Sequence, residues 1–471
     1  MPMTSEVSAS LLLDLYELTM ADAYRREGIA DRRATFSLFV RSLPPEWGYL
    51  VAAGLQDCLS WLQGLHFTAS DLDAIDQFKI FHPDFLDWLS KLRFTGSVRA
   101  VPEGSIVFAG EPLLEVEGPI AEAQLAETYL LNQMTLQTTL ATEAARCRHA
   151  AQGRAVMDFA LRRVPGTDAG MKLARCCRLV GLDGTSNVAG AARYGVAPSG
   201  TMAHSFVQAH ADETDAFRAY ARAFKEATVL LVDTYDTPRG IERAIQVAGE
   251  MRAQGIELHG VRLDSGDLGP LSSLARRRLD EAGFPGMTVF VSGGLDEYKI
   301  DDLVERQRAP IDGFGVGTSL GAAGGAPTLD SVYKLVTFGD RPVRKTSTGK
   351  ATWPAAKQVW RRTDWSGDLL ALADETPPGD RYRPLLEPVM HSGRPRSRGQ
   401  GDLAEASALF EREWLALPGP LKRLRTPALH SVQPSAALLH LTATLGSGRP
   451  GPAAGEPQSR LRADSTRSAS D

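Results

Sequence analysis

Short apolar runs in the middle of this chain end in residues that can do chemistry. The runs cover 155–159, 196–200, 228–232, 258–263, 287–291 and 311–316. Their ends read Asp158-Phe159-Ala160-Leu161-Arg162-Arg163, Ser199-Gly200-Thr201-Met202-Ala203-His204-Ser205 and Asp233-Thr234-Tyr235-Asp236. The later ones read Arg262-Leu263-Asp264-Ser265-Gly266-Asp267, Ser292-Gly293-Gly294 and Gly315-Val316-Gly317-Thr318-Ser319. Arginine forks match phosphate or carboxylate oxygens. Aspartates beside them suit a magnesium-bound polyphosphate, because magnesium takes one or two carboxylates plus substrate oxygens. Gly293, Gly294, Gly317 and Thr318 let backbone N–H groups and a hydroxyl approach a phosphate closely. No tip carries a lysine, which speaks against a Schiff-base aldolase.

Taken singly, each tip has a plain structural explanation. A Gly-Gly pair makes a turn, a histidine is satisfied as a polar residue, Phe159 packs in a core, and the charged rim forms surface ion pairs. Their shared position at one end of successive strands favours a site. The run from Gly315 to Gly321 is not a dinucleotide fingerprint, and no Walker motif occurs.

These tips need a scaffold that points strand ends in one direction. The last four runs recur at the spacing of β/α units, with helical stretches at 239–253, 271–282 and 296–306 between them. That rhythm predicts a parallel sheet, and favours a barrel whose site lies at the C-terminal strand ends. Upstream, residues 10–27 read as an amphipathic helix with Ser10 as cap and Gly28 as stop, followed by a strand at 35–40. Residues 96–118 read as a small sheet, and 121–149 as a long helix. Beyond 335 come short strands at 336–338, 343–345 and 358–361, a basic loop at 394–400, and a low-complexity segment from 446 that reads as a disordered tail.

The 471 residues are enough for two or three domains, and 43% hydrophobic with 23% charged residues is globular composition. Lys+Arg 52 against Asp+Glu 57 leaves a net charge of −5, so no global basic field grips nucleic acid or an anionic membrane. Cys58, Cys147, Cys176 and Cys177 lack metal-binding spacing, and neither a signal peptide nor a membrane span is visible. A cytoplasmic location is the expectation.

With the tips in view, the chain resembles nicotinate phosphoribosyltransferase. The likeness runs through Asp14-Leu15-Tyr16-Glu17-Leu18-Thr19-Met20, Gly184-Thr185-Ser186-Asn187, the tips after 200, 231, 261 and 315, and Val332-Tyr333-Lys334-Leu335. It implies an irregular (β/α) barrel of the type II phosphoribosyltransferase kind plus a second α/β domain built from both chain ends. The expected division is 1–125, 126–334 for the barrel, 335–445, and the tail 446–471. The implied reaction joins nicotinate to 5-phosphoribosyl 1-pyrophosphate, with ATP hydrolysis alongside and magnesium required, in NAD biosynthesis. By that likeness His204 is transiently phosphorylated. Tyr16 stacks on the pyridine from the partner subunit of a homodimer, with Phe159 as the opposite face. Thr201 and Arg262 hold the nicotinate carboxylate. Arg162 and the Gly293/Gly294 and Gly317/Thr318 tips hold phosphates, and Asp233 and Asp264 orient magnesium, ribose or His204. Two rivals are a nicotinamide-specific relative and a barrel that binds nucleotide without turnover.

Overall fold

A computed structural model describes residues 8–347, 350–396 and 402–445. The centre of the molecule is a six-stranded sheet in the spatial order Gly184–Thr185, Ala155–Asp158, Gly313–Val316, Thr288–Ser292, Gly260–Leu263, Val229–Leu231. Every neighbouring pair in it is parallel. Five of these strands are the apolar runs expected from the sequence. Val156, Leu230, Leu231, Val261, Leu263, Val289, Val291, Phe314 and Val316 are fully buried, as strands covered on both faces require.

The sixth run, 196–200, forms only a bridge. Pro198 has no N–H to give, so Thr185 takes up the pairing on both sides of it: its N–H donates to the Ala197 carbonyl, and its carbonyl accepts from Ser199. The two-residue strand Gly184–Thr185 that Pro198 pairs with was not expected. No ladder joins the 196–200 segment to Val229–Leu231 among the described residues, so the parallel strands do not form a complete hydrogen-bonded ring.

Helices leave the strand ends through short caps. Asp236 accepts from Arg239 N–H at 3.0 Å to start Thr237–Arg252, and Asp296 accepts from Lys299 N–H at 2.7 Å to start Glu297–Asp301. Asn187 does the same for Val188–Tyr194. The helical reading at 296–306 resolves into Glu297–Asp301 and a wider π-type turn, Asp302–Arg306.

A second, seven-stranded antiparallel sheet joins distant parts of the chain: Arg33–Val40, Ser97–Ala100 and Pro112–Pro119 pair with Ser331–Phe338, Arg341–Pro342, Glu387–His391 and Arg394–Pro395. Ser331–Phe338 runs across position 334, where the sequence suggested a boundary. A four-stranded sheet, Lys357–Arg362 with Asp368–Leu372, Tyr382–Pro384 and Val432–Pro434, stands beside it. Fully buried Arg361 ties the two together through Asp368 at 2.6 Å and Glu111 at 3.3 Å.

Three local readings are corrected. The first long helix is Leu15–Arg26, and Asp14 rather than Ser10 holds its N-cap position; residues 9–11 are a separate 3-10 turn. Gly28, at φ +67°, does follow its end. The 121–149 helix is two, Ile120–Leu125 and Glu127–Ala151. The strand expected at 343–345 stops at Pro342. Most of the basic loop at 394–400 and all of the tail from 446 lie outside the described residues.

Candidate active site

Gly260–Leu263 is a central strand of the parallel sheet, and it carries Arg262 and Asp264 at its outgoing end. The Arg262 guanidinium donates to Thr201 Oγ1 at 2.5 Å and to the Met202 carbonyl at 3.1 Å, while its Nε is buried without a partner. Burial pulls its pKa below the usual arginine range, against the opposing pull of Asp264 and Asp233. The side chain is therefore a half-buried cation short of counter-charge, with a free donor.

It faces a cavity of about 460 Å³ lined by Phe159, Arg162, Ser186, Thr201, His204 and Asp264, among others. Arg162 is exposed, has no ion-pair partner among the described residues, and lies close enough to Arg262 to lower its pKa. Two arginines thus converge on one opening. Phe159 leans against Phe290 with ring centroids 6.0 Å apart. It has room because position 315 is glycine: a Cβ there would come within 2.4 Å of the Phe159 ring.

The two carboxylates are oriented alike, each with one oxygen held and one left over. Asp233 Oδ2 accepts from Asp264 N–H at 3.0 Å and Ser265 Oγ at 2.5 Å, and its Oδ1 is buried with no hydrogen bond. Asp264 Oδ1 accepts a short bond from Ser292 Oγ, and its Oδ2 lies 3.9 Å from His204 Nε2. On its other side, the His204 ring meets Thr234 Oγ1 through Nδ1 at 3.1 Å. Neither aspartate pairs with an arginine among the described residues, so the rim is no ion-pair network. Asp236, by contrast, is taken up as a helix cap.

Magnesium fits Asp233 and Asp264 on this geometry, since a buried carboxylate oxygen without a partner needs a cation or a hydroxyl. The rim is not a ready-made cage: no three of its ligand atoms cluster within 4.8 Å among the described residues. An ion held by one or two carboxylates and completed by substrate phosphates matches that.

The glycine tips close the same end. Gly293 has φ +98°, and a Cβ on it would sit 1.8 Å from the Asp264 carbonyl oxygen. Gly293→Ala combines left-handed strain with a backbone overlap, so a stability loss of about 2 kcal/mol or more is expected. If the tip holds a phosphate, the KM for the phosphate-bearing substrate should rise with it. Thermal melts and steady-state kinetics check this, and an unchanged Tm with unchanged KM would contradict it. Gly317 lies against the Phe159 carbonyl, and Thr318 opens the short helix Thr318–Ala322.

Two family models match this chain: one described as the nicotinate phosphoribosyltransferase N-terminal domain over residues 11–135, the other as the nicotinate phosphoribosyltransferase family over 154–337. The chain belongs to the nicotinate phosphoribosyltransferase family. A nicotinate phosphoribosyltransferase of Mycobacterium tuberculosis is 46% identical over 419 residues, covering 88% of this chain and 89% of the relative. One of Bacillus subtilis is 43% identical over 394 residues, with 81% and 80% covered. The crystal structure of human nicotinic acid phosphoribosyltransferase superposes with a TM-score of 0.83 at 30% identity, covering 93% of this chain and all (100%) of that one. That likeness spans the parallel sheet and the sheets built from both chain ends, and supports the type II phosphoribosyltransferase fold.

Of the residues the resemblance singled out, Phe159, Arg162, Thr201, His204, Arg262 and Asp264 line one cavity. Asp233 and Gly293 support it through Asp264. Tyr16 does not line it. Its ring is exposed on the helix Leu15–Arg26 beside Glu127, Glu17 and Asp14, where burial and these carboxylates raise its phenol pKa. The neighbouring Glu17 is pushed up to about 7 by burial. Ser265 and Thr234, which fix Asp233 and meet His204, had no role in the sequence reading, and Ser292, in a tip read as a phosphate site, instead gives its hydroxyl to Asp264.

Proposed function

We propose that this chain joins nicotinate to 5-phosphoribosyl 1-pyrophosphate, giving nicotinate mononucleotide and pyrophosphate for NAD biosynthesis, and couples the step to ATP hydrolysis through His204. The observation that carries the reading is the single cavity in which a buried, under-compensated arginine and a threonine hydroxyl stand beside an aromatic face and an aspartate–histidine pair. Arg262 and Thr201 bind the nicotinate carboxylate, and Phe159 covers one face of the pyridine. The ring nitrogen then attacks the anomeric carbon as its bond to pyrophosphate breaks. Positive charge builds on the ribose in that transition state, and the open oxygen of Asp264, whose backbone Asp233 holds, stabilises it. Magnesium held by the same aspartates would neutralise pyrophosphate charge. Arg162 and the Gly293/Gly294 and Gly317/Thr318 tips grip phosphates.

His204 takes the phosphoryl group in this reading: in the tautomer whose Nδ1–H donates to Thr234, the Nε2 lone pair attacks the terminal phosphorus of ATP, and the new N–P bond replaces the bond to ADP. Hydrolysis of that phosphohistidine near bound pyrophosphate ties ATP use to the position of the equilibrium.

The reading includes a homodimer. Leu12, just before the first long helix, and Leu15 and Tyr16 at its start are 49%, 47% and 44% exposed, an apolar strip that suits a second copy. From there Tyr16 would cover the other face of the pyridine in the partner's cavity. A cytoplasmic setting belongs to the same proposal, in keeping with four buried, unpaired cysteines. No helix among the described residues is long and apolar enough to cross a membrane.

The test is a product assay. Protein given nicotinate and 5-phosphoribosyl 1-pyrophosphate should release pyrophosphate and form the nucleotide, with a higher yield when ATP is added. The kcat/KM for nicotinate should exceed that for nicotinamide. Binding without turnover would overturn the enzyme reading, and preference for the amide would overturn the substrate.

A further inference from the structure

Behind the two glycine tips lies a buried carboxyl pair that the reaction as described does not use. Glu143 sits in the long helix Glu127–Ala151, fully buried, and its Oε1 accepts from Ser319 Oγ at 2.7 Å. Ser319 directly follows Thr318, in the helix that begins at the second phosphate tip. Glu297 opens the helix that follows the first tip, and its Oε1 accepts from both Nε and Nη2 of Arg146 at 3.1 Å. Lys299, from that same helix, reaches back to the Gly294 carbonyl at 2.5 Å. Carboxylate oxygens of Glu143 and Glu297 lie within 4.8 Å of each other, beside Cys147 Sγ. The second phosphate tip therefore bonds directly to this carboxyl pair, and the first is tied to the helix that carries Glu297.

We propose that Glu143 is a positioning residue that must carry a proton for the 317–319 tip to receive the phosphate of the phosphoribosyl donor. The argument starts from charge. The ionisable groups facing Glu143 are Arg146 and Cys147 on its own helix, Glu297 with Asp296 behind it, and Tyr49. Burial pushes the Cys147 thiol and the Tyr49 phenol upward, so both stay neutral at pH 7. One guanidinium then faces two carboxyls, which balances only if one of them is protonated.

Glu143 is the one. Its Oε2 is buried with no hydrogen-bond acceptor or donor other than the facing carboxyl, and burial together with Glu297 pushes its pKa up to about 8. Protonated, Glu143 gives its O–H toward Glu297 and keeps Oε1 for Ser319, so the chain of contacts from Arg146 to the tip is complete. Deprotonated, it places a second negative charge directly behind a phosphate-binding loop. A group whose proton is favoured by the native, substrate-ready form loses that form as pH rises through its pKa.

The inference rests on the phosphoribosyltransferase reading, and the experiment separates the two. The KM for 5-phosphoribosyl 1-pyrophosphate is measured from pH 6.5 to 9.5 in the wild type, Glu143→Gln and Ser319→Ala, with the KM for nicotinate as an internal comparison. In the wild type the donor KM should climb above pH about 8, at the limit about tenfold per pH unit. Glu143→Gln keeps the neutral shape and both contacts, so its donor KM should match the wild type at pH 7 and lack the alkaline climb. Ser319→Ala should raise the donor KM at pH 7 and flatten the climb, and it decides the matter alone if the glutamine variant does not fold. A merely structural glutamate would change Tm and leave the profile of both variants parallel to the wild type, which would overturn the inference. An inactive wild type would instead overturn the enzyme reading.

Discussion

Replacing Arg262 by alanine is expected to cut kcat/KM for nicotinate by roughly two to three orders of magnitude, or about 3–4 kcal/mol, the scale of removing one partner from a desolvated charge pair. The geometry gives the reason. The guanidinium is half-buried, bonded only to neutral acceptors at Thr201 and Met202, and drawn downward in pKa by burial. Its Nε is buried without an acceptor, and the proposed reading supplies the nicotinate carboxylate as the guanidinium's counter-charge. Arg262→Lys keeps the charge but loses the fork that spans Thr201 and the substrate, so it should recover only part of the loss. The discriminating measurement is the ratio of kcat/KM for acid and amide. If Arg262 reads the carboxylate, the variant should lose far more activity with nicotinate than with nicotinamide. An equal loss with both would make Arg262 a strut for the 201–202 loop and remove the carboxylate reading.

Arg262 meets Thr201 and Met202 across about sixty positions, contacts that no linear reading supplies. Apolar runs with polar tips announce parallel strands, because a strand buried on both faces has no choice but to be continuously hydrophobic. Five of the six runs entered the sheet for that reason, and Pro198 explains the one that did not. The partners that fix the site were less legible. Ser292 holds Asp264 from 28 residues away, Thr234 meets His204 across 30, and Ser265 reaches Asp233 across 32. Each spacing is one turn of the β/α repeat, so neighbouring strand ends supply a carboxylate or imidazole and the hydroxyl that orients it. In hindsight the repeat itself was the signal: a hydroxyl residue stands at the end of each neighbouring strand.

Glu143 had no such mark. It is one of two acids in a helix rich in threonine and alanine, and only the packing of Glu127–Ala151 against the helices at 297–301 and 318–322 shows that it is sealed from water. The antiparallel sheet was hidden for a related reason. Arg33–Val40 has Ser331–Phe338 as a neighbour, nearly three hundred positions later, and no local pattern encodes that register.

His204→Ala should separate nucleotide synthesis from ATP use. The imidazole is 40% exposed at the cavity rim, with Nδ1 turned to Thr234 and Nε2 to Asp264, so it is reachable by a third molecule while making no bond to Arg262 or Thr201. Nothing in the Arg262–Thr201 contact or the glycine tips depends on it. The variant should therefore still form nucleotide without ATP, within about tenfold of the wild type's ATP-free rate, because the Asp264 carboxylate that stabilises the ribose cation remains. ATP hydrolysed per nucleotide formed should fall by about two orders of magnitude or more, since no other residue lining the cavity offers an imidazole nitrogen to phosphorus. Acid-labile phosphate on the protein should disappear in parallel. Thr234→Val gives a graded control: it frees the ring without deleting it, and should lower the phosphorylation rate while leaving the stoichiometry of ATP to nucleotide in place. Equal ATP use per product in His204→Ala and wild type would assign the coupling to another group, and Asp264, 3.9 Å away, would be the first to examine.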